Sequence, residues 1–266
     1  MGGSTVVKLK VAVVGAGIVG QAMKDLCGPE TVLFDIKPGF STDREAVNAC
    51  DAAFVCVPTP AAADGSCDTS IVEEVVSWVR TPLILLRSTV SPGTTDRLRS
   101  AYKKRIVFQP EYLGESPDHF FGSVRHRTFV VLGGEPADTS AAADFYKHFY
   151  NSYVQFYFTD ALTAELAKYM ENAFYAVKVT FVNEFYAIAK AHGVDFNALR
   201  EIWLADTRIS RDHTFVYPDD RGFGGKCLPK DMSAIVKAAK EKGCDARLLE
   251  AVFQINAQLR KLNPPR

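Results

Sequence analysis

Short apolar, β-branched runs alternate with longer amphipathic segments through the first half of the chain. The runs have the length and composition of buried strands, and they cover residues 9–14, 31–34, 53–57, 83–86, 106–108 and 128–132. Apolar residues at helical spacing fill several intervals, at 69–80, 93–102 and 137–150. Strands that alternate with helices in this way predict a doubly wound, mostly parallel sheet.

The second half has helical periodicity only. Residues 159–192 contain neither glycine nor proline, with Thr159 and Asp160 as N-cap candidates and Gly193 as a C-terminal stop. Further helices are predicted at 196–205, 232–242 and 247–262. The predicted fold class is α/β, with an N-terminal Rossmann-like doubly wound sheet, a long linking helix and an all-α domain. The predicted domains are 1–157 and 158–266.

Composition narrows the partners and the compartment. The 266 residues carry 31 basic and 31 acidic side chains and no formal net charge, which argues against a nucleic acid or an anionic membrane as the main partner. The longest apolar runs are shorter than the ~20 residues of a membrane span. The N-terminus lacks the apolar core of a signal peptide. We therefore expect a cytoplasmic protein.

Six cysteines are scattered along the chain without C-x-x-C spacing or nearby histidine pairs. This pattern predicts neither disulfides nor a metal site. Five of them, Cys27, Cys50, Cys56, Cys67 and Cys244, are expected to act as small buried apolar residues. Cys227 is the exception because of its surroundings.

A dinucleotide fingerprint follows the first strand. The strand ends in Gly15-Ala16-Gly17-Ile18-Val19-Gly20, a helical pattern follows, and the second strand ends at Asp35. Gly15 permits a tight turn, Gly17 lets the backbone approach a pyrophosphate, and Gly20 lets helix and strand pack closely. An acid at position 35 accepts ribose hydroxyls and repels a 2′-phosphate, so NAD is favoured over NADP, although Lys37 lies two residues away.

Three loops after later strands carry polar groups. They are Val57-Pro58-Thr59-Pro60, Arg87-Ser88-Thr89-Val90 and Pro110-Glu111-Tyr112-Leu113-Gly114-Glu115. Ligands bind in such loops at the carboxyl edge of an α/β sheet. For any single loop, an ordinary polar turn is an equally good interpretation.

The segment Gly222-Phe223-Gly224-Gly225-Lys226-Cys227-Leu228-Pro229-Lys230-Asp231 places a thiol between lysines behind a glycine-rich turn. It predicts either a covalent nucleophile or a helix-capping turn with an inert thiol. Lys168 and Asn172 share one face of the long helix, as a site or as part of its solvated stripe. The polar loop 208–225 is suited to a polar ligand.

Taken in order, these motifs resemble the UDP-glucose/GDP-mannose dehydrogenases, NAD-dependent enzymes that oxidise the primary alcohol of a nucleotide sugar to a carboxylate. The resemblance rests on segments spread over nearly the whole chain. They are Val13–Gly20, Val55–Pro60, Ser88-Thr89-Val90 with Gly93-Thr94-Thr95, Pro110–Leu113, Ala164–Lys168 with Asn172, and Gly222–Asp231.

The resemblance implies two hydride transfers to NAD and a covalent intermediate on Cys227. Lys168 and Asn172 match the pair that stabilises oxyanions. Thr89, Glu115 and Asp231 match residues that position or activate water. The implied cofactor-binding residues are Gly15, Gly17, Ile18, Val19, Gly20, Asp35, Lys37, Val57, Pro58, Thr59, Ser88, Thr89, Glu115 and Lys230. The implied substrate-binding residues are Glu111, Tyr112, Leu113, Gly114, Lys168, Asn172, Arg208, Arg221, Gly222, Phe223, Gly224 and Gly225.

The expected partners are a nucleotide sugar, with UDP-glucose the first expectation, and a second copy of the chain through the long helix. Two departures stand out. Gly114 occupies a position that is commonly basic in the family, and the chain stops where family members continue into a third, nucleotide-binding domain. It is therefore either a short form or a fragment. Two alternatives stay open: a one-step β-hydroxyacid-type dehydrogenase, and an NAD-binding dimerising module without full activity.

Overall fold

The computed structural model describes residues 9–113 and 124–262. Within these residues seven strands form one sheet: β1 Val11–Val14, β2 Val32–Phe34, β3 Ala52–Val55, β4 Leu83–Leu86, β5 Ile106–Phe108, β6 Phe129–Gly133 and β7 Gln155–Thr159. The helices are α1 Ile18–Cys27, α2 Arg44–Asn48, α3 Ser70–Trp78, α4 Thr94–Tyr102, α5 Pro136–Tyr146, α6 Ala161–Ala191, α7 Phe196–Trp203, α8 Leu228–Glu241 and α9 Arg247–Leu262. A short 3-10 helix spans Val124–His126.

The sheet has the order β2-β1-β3-β4-β5-β6-β7, and only the β5–β6 pair is antiparallel. Successive residues of the central strands point into different cores. Val13 and Phe54 belong to one buried cluster, whereas Val14 and Val55 belong to another. Strands buried on both faces are typical of parallel sheets covered by helices. This confirms the predicted α/β class with a Rossmann-like sheet followed by a long helix.

Three elements differ from the sequence prediction, each for a local reason. α2 has only five residues and starts after its cap Asp43, too short to show helical periodicity. β7 is largely exposed, so it lacks the apolar run that marks a buried strand. α8 starts at Leu228 rather than at residue 232, because Pro229 lies in the first turn, where a missing N–H costs nothing.

Contacts divide the chain into two compact units. Unit 1 comprises residues 1–60 and 68–168, and unit 2 comprises residues 61–67 and 169–266. The loop 61–67 thus belongs by contact to unit 2 (the helical unit), although it follows β3. The domain boundary predicted after residue 157 stays a prediction.

α6 is 31 residues long and has well-defined ends. Asp160 accepts hydrogen bonds from the Thr163 amide at 2.8 Å and from its hydroxyl at 2.7 Å, which caps the helix. Gly193 adopts a left-handed conformation, with φ of 69°, just beyond the last turn. Neither α6 nor any other helix among the described residues is long and apolar enough to cross a membrane.

Candidate active site

The glycine turn after β1 has the geometry of a phosphate cradle. Gly15 has φ of 102°, and a β-carbon there would lie 2.5 Å from the Cys56 carbonyl oxygen. A β-carbon on Gly20 would lie 1.8 Å from the Gly15 carbonyl oxygen, so the turn and α1 pack backbone to backbone. At Gly17, by contrast, a β-carbon would meet no atom within 4 Å. The turn is therefore closed on the protein side and open where a pyrophosphate would approach the N-terminus of α1.

Asp35 lies directly beside this turn. Its carboxylate accepts the Ala16 N–H at 2.7 Å and the Lys37 N–H at 3.0 Å. Burial works against the charged form, but the hydrogen bonds from Ala16 and Lys37 outweigh it and lower the pKa of Asp35. An ionised carboxylate fixed at this point suits a ribose diol and disfavours a 2′-phosphate.

The loops after β3 and β4 are bonded to each other. The Thr59 hydroxyl donates to the Thr89 carbonyl oxygen at 2.6 Å, and the Ser88 hydroxyl donates to the Val57 carbonyl oxygen at 2.7 Å. Thr59 and Ser88 are buried, and Thr89 is half-buried. Both hydroxyl groups donate their hydrogens to backbone carbonyl oxygens. Thr59 and Ser88 therefore hold the two loops together at this edge of the sheet.

Glu111 is buried between two arginines. Its carboxylate forms ion pairs with Arg87 and, at 2.6 Å, with Arg127. The oxygen that faces Arg127 also accepts the N–H groups of Tyr112 and Leu113, at 2.6 and 2.5 Å. The carboxylate therefore fixes the backbone of the loop rather than being presented to solvent. Two candidates in this loop, Gly114 and Glu115, lie outside the described residues.

The Tyr112 ring receives two cations. The Arg127 guanidinium lies 5.6 Å and the Lys168 ammonium 5.3 Å from its centroid. Both distances fit cation–π interactions, which grow stronger when the groups are desolvated. Lys168 is buried in α6, so it does not belong to a solvated stripe.

Glu165, one turn before Tyr169 on α6, caps α4. Its carboxylate accepts the N–H groups of Gly93 at 2.5 Å and Thr95 at 2.8 Å, and the Thr95 hydroxyl at 2.6 Å. The side chain has no exposed surface. Burial raises the pKa of Glu165, and the three hydrogen bonds only partly offset that effect. The residue anchors the loop that carries Ser88 and Thr89 to the long helix.

In the helical unit, Cys227 is the residue immediately before α8 and is exposed. Its carbonyl oxygen accepts the Asp231 N–H at 2.9 Å, the first hydrogen bond of the helix. The N-terminal end of a helix carries partial positive charge, which favours a thiolate over a thiol. The position therefore suits a nucleophile better than an inert structural thiol.

Asn172 and Asp231 are bonded to each other. The Asn172 amide donates to Asp231 Oδ2 at 2.5 Å, and Lys230 Nζ lies 2.8 Å from Asp231 Oδ1. Asn172 and Asp231 are buried. Burial disfavours the Lys230 ammonium, but the charge of Asp231 and the sulfur of Cys67 outweigh burial and raise the pKa of Lys230.

The glycine loop before Cys227, residues 222–225, is hydrogen-bonded to α9. Asn256 accepts the Phe223 N–H at 2.7 Å and donates to the Phe223 carbonyl oxygen at 3.0 Å. Gly222 has φ of 85°, and a β-carbon there would lie 2.5 Å from the Asn256 side-chain oxygen. At Gly224, a β-carbon would lie 3.0 Å from the Arg260 guanidinium. Glycine is thus needed at position 222 for the close approach to α9, whereas at position 224 the flexible end of Arg260 can move aside.

The two arginines among the candidate substrate-binding residues differ in how freely their side chains can move. The Arg208 side chain is 88% exposed and pairs with Asp206 at 2.5 Å. Arg221 donates to the side chain and backbone of Asn183, at 3.1 and 2.5 Å, and stacks over Tyr186. Arg208 can turn toward a ligand at little cost, whereas Arg221 must first release Asn183.

Both parts of the chain match one protein family. The UDP-glucose/GDP-mannose dehydrogenase family, NAD binding domain, matches residues 30–151, and the central domain of the same family matches residues 162–258. The chain belongs to the UDP-glucose/GDP-mannose dehydrogenase family. The NAD-binding domain indicates NAD as its cofactor, in agreement with the environment of Asp35.

Named relatives agree with this family. The chain is 30% identical to UDP-glucose 6-dehydrogenase of Pseudomonas aeruginosa and 32% identical to that of Haloferax volcanii, over 82% and 81% of its length. It covers 51% and 54% of those relatives, so it spans about half their length.

Solved structures agree with the fold. A UDP-glucose dehydrogenase from Pyrobaculum islandicum superposes with a TM-score of 0.83 at 28% identity, over 95% of this chain and 69% of that one. A 3-hydroxyisobutyrate dehydrogenase from Mycobacterium tuberculosis shares the fold, with a TM-score of 0.71 at 16% identity, over 96% of this chain and 94% of that one.

Two of the five cysteines that were predicted to be small, buried, apolar residues differ from that prediction. Cys244 is exposed rather than buried. Cys67 is buried, but its sulfur contacts the Tyr169 hydroxyl at 3.3 Å and the Lys230 ammonium at 3.5 Å, so it is no apolar filler. Cys27, Cys50 and Cys56 are buried or half-buried, as expected.

Three residues that hold candidate residues or their loops in place were not sequence candidates: Glu165 in unit 1, and Asn256 and Cys67 in unit 2. Glu165 gave a usable signal, because it shares the helical face of Ala161, Ala164 and Lys168, and a carboxylate on a buried face needs partners. Neither Asn256 nor Cys67 has such a signal, because their partners are distant in sequence.

Proposed function

We propose that the protein oxidises the 6-hydroxymethyl group of a nucleotide sugar to a carboxylate in two NAD-dependent steps, through a covalent intermediate on Cys227. One observation carries this proposal: an exposed thiol begins α8 behind a glycine loop clamped by Asn256. Asp231, one turn further on, holds Asn172. A thiol that does no chemistry would not need this arrangement.

The residues have separate tasks. NAD, when bound, would supply the acceptor for both hydrides. In the first oxidation the primary alcohol loses one hydride and one proton and becomes an aldehyde. Cys227 adds to the aldehyde carbon as a thiolate, which keeps the reactive aldehyde on the protein as a thiohemiacetal. Loss of a second hydride, together with the hydroxyl proton, leaves a thioester. Water then cleaves the C–S bond, which releases the carboxylate with a proton and restores the thiol.

Charge development sets the roles of the polar residues. Lys168 and Asn172 stabilise the oxyanion, because a cation and an amide donor suit a developing negative charge. Thr89, Glu115 and Asp231 position the water that cleaves the thioester. We assign NAD to Gly15, Gly17, Ile18, Val19, Gly20, Asp35, Lys37, Val57, Pro58, Thr59, Ser88, Thr89, Glu115 and Lys230.

The substrate contacts are proposed from the loops. The proposed sugar contacts are Glu111, Tyr112, Leu113 and Gly114 in one loop and Gly222, Phe223, Gly224 and Gly225 in another, and the proposed phosphate contacts are Arg208 and Arg221. UDP-glucose is the proposed substrate, since the relatives above are named UDP-glucose 6-dehydrogenases. We place the activity in the cytoplasm.

A screen of nucleotide sugars tests the function. The purified chain is incubated with NAD and UDP-glucose, a UDP-N-acetylhexosamine or GDP-mannose, and NADH is counted against sugar product. We expect two NADH per sugar acid. One NADH per product would instead indicate the one-step dehydrogenase, and NAD binding without any turnover would indicate the binding module.

We also propose that a second copy of the chain covers an apolar stripe on α6. The stripe comprises Met170, Phe174, Phe181, Phe185 and Ile188, with exposed fractions of 78, 59, 45, 41 and 42%. These positions recur at helical spacing and so form one continuous surface. Contiguous exposed apolar patches of this kind mark interaction sites.

The double substitution Phe181→Asp with Phe185→Asp is expected to convert a dimer to a monomer. Two carboxylates buried in an apolar interface would weaken association at least about a hundredfold. Light scattering coupled to gel filtration measures the mass. Lys190→Glu, at an exposed position on the same helix, is the control and should leave the mass unchanged. A monomeric wild-type protein at high concentration would contradict the proposal.

A further inference from the structure

The loop 61–67 after β3 is a closed hairpin. Ala61 and Cys67 form an antiparallel bridge, and the Ala62 N–H donates to the Ser66 carbonyl oxygen at 2.8 Å. Gly65 occupies the left-handed region, with φ of 90°, at the tip. The hairpin is therefore closed by its own backbone hydrogen bonds, and its contacts assign it to the helical unit.

Three contacts fasten this hairpin along α8. Ser233 donates to the Gly65 carbonyl oxygen at 3.0 Å, the Lys237 ammonium lies 3.7 Å from the Asp64 carboxylate, and the Lys230 ammonium lies 3.5 Å from the Cys67 sulfur. Their partners on α8 are three and four residues apart and so share one face of the helix. The hairpin thus follows the helix from its first turn onward.

The contact between Cys67 and Lys230 is the one that reaches the proposed catalytic groups. Lys230 Nζ lies 2.8 Å from Asp231, and Asp231 accepts the Asn172 amide at 2.5 Å. On its other side, the Cys67 sulfur contacts the Tyr169 hydroxyl at 3.3 Å. The result is an unbroken chain of polar contacts, Tyr169–Cys67–Lys230–Asp231–Asn172.

We propose that Cys67 is a positioning residue for the reaction: its sulfur holds the Lys230 ammonium, and through Lys230 it fixes Asp231 and Asn172. The proposal rests on the roles proposed for Asp231 and Asn172. A sulfur atom fits this place because its long bonds and diffuse electrons accept a hydrogen bond at 3.5 Å, a distance at which an oxygen acceptor binds more weakly.

The charge on Lys230 is part of the same arrangement. Lys230 has a raised pKa despite its burial, through Asp231 and Cys67. Loss of the sulfur removes one of these two contributions, so the pKa of Lys230 falls. The ammonium then loses its proton at a lower pH, and any step that needs it charged fails earlier on the alkaline side.

Two substitutions at position 67 separate positioning from packing. Cys67→Val keeps an apolar side chain of similar size but removes the acceptor, whereas Cys67→Ser keeps an acceptor and loses apolar volume. A packing role predicts that valine is tolerated better, because Cys67 also packs against Ala234 and Ile235. A positioning role predicts the reverse order.

For turnover of UDP-glucose we expect Cys67→Val to lower kcat about tenfold and Cys67→Ser to lower it less, because small displacements of catalytic groups are costly. The alkaline limb of the kcat–pH profile should move to lower pH in Cys67→Val. Cys50→Val, at a buried cysteine outside this chain of contacts, is the matched control and should leave kcat and the profile unchanged. Thermal unfolding confirms that each variant is folded.

A second measurement does not need turnover. Competitive acylation of lysines across a pH series, read by mass spectrometry, reports the titration of Lys230 directly. Lys230 in Cys67→Val should become reactive at lower pH than in the wild type. An unchanged Lys230 titration, or a kcat higher in Cys67→Val than in Cys67→Ser, overturns the proposal. If the wild type turns over no nucleotide sugar, the proposed function fails, and the Lys230 titration alone decides whether Cys67 holds this lysine.

Discussion

Cys227→Ser is expected to reduce carboxylate formation at least about a thousandfold, since a hydroxyl without a strong base is a far weaker nucleophile than a thiolate. Cys227 is exposed and lies just before α8, so its replacement by serine should not disturb folding. A loss of this size would therefore reflect the chemistry. NADH formation and sugar-acid production are measured together, and the retained affinity for NAD is checked by titration.

The control comes from the other end of the same helix. Cys244 is the second exposed cysteine and follows the C-terminus of α8, where its N–H donates to the Ala239 carbonyl oxygen. Cys244 lies at the opposite end of α8 from the partial positive charge of the helix N-terminus. Cys244→Ser should therefore keep wild-type activity, and iodoacetamide should modify Cys227 faster than Cys244. Full activity of Cys227→Ser would refute the covalent mechanism.

Glu165→Ala is expected to destabilise unit 1 by about 4 kcal/mol, because three donors, two of them buried and one half-buried, lose their acceptor at once. Those donors are the N–H groups of Gly93 and Thr95 and the Thr95 hydroxyl. Glu165→Gln should cost about half as much, since its carbonyl oxygen still accepts while its amide group opposes one of the donors.

Tryptophan fluorescence during urea unfolding can report this loss in one unit. The chain has two tryptophans; Trp78 packs against Phe34 in unit 1, and Trp203 lies in α7. In a Trp203→Phe background the signal follows unit 1. Glu184→Ala, at an exposed position of α6, serves as the control and should shift the midpoint little. Equal midpoints for Glu165→Ala and this control would exclude the capping role.

The sheet could be predicted from sequence because its information is local. Buried strands such as Val11–Val14 and Leu83–Leu86 are short apolar runs, and the turn Gly15–Gly20 has fixed spacing. The same is true of the end of α6, where Gly193 stops the helix. Local patterns of this kind reflect the backbone geometry of a single element, so a short stretch of sequence is enough to predict them.

The polar contacts of the site could not be predicted in the same way. Cys67 and Lys230 are 163 residues apart, and Phe223 and Asn256 are 33 apart. No composition or periodicity connects such pairs, since each depends on how separate elements pack. Burial also gives two loop residues partners that the sequence does not reveal: Glu111 faces two arginines rather than solvent, and Thr59 donates to the Thr89 carbonyl oxygen.

The attachment of the glycine loop to α9 sets a lower limit on the length of a shortened variant. The loop conformation before Cys227 depends on an amide more than thirty positions downstream, since Asn256 is bonded to both backbone groups of Phe223. A shortened variant that ends before position 256 would still contain every residue proposed for the chemistry, yet its nucleophile would follow an unsupported loop. The smallest useful fragment is therefore defined by a scaffold residue and not by the last catalytic one.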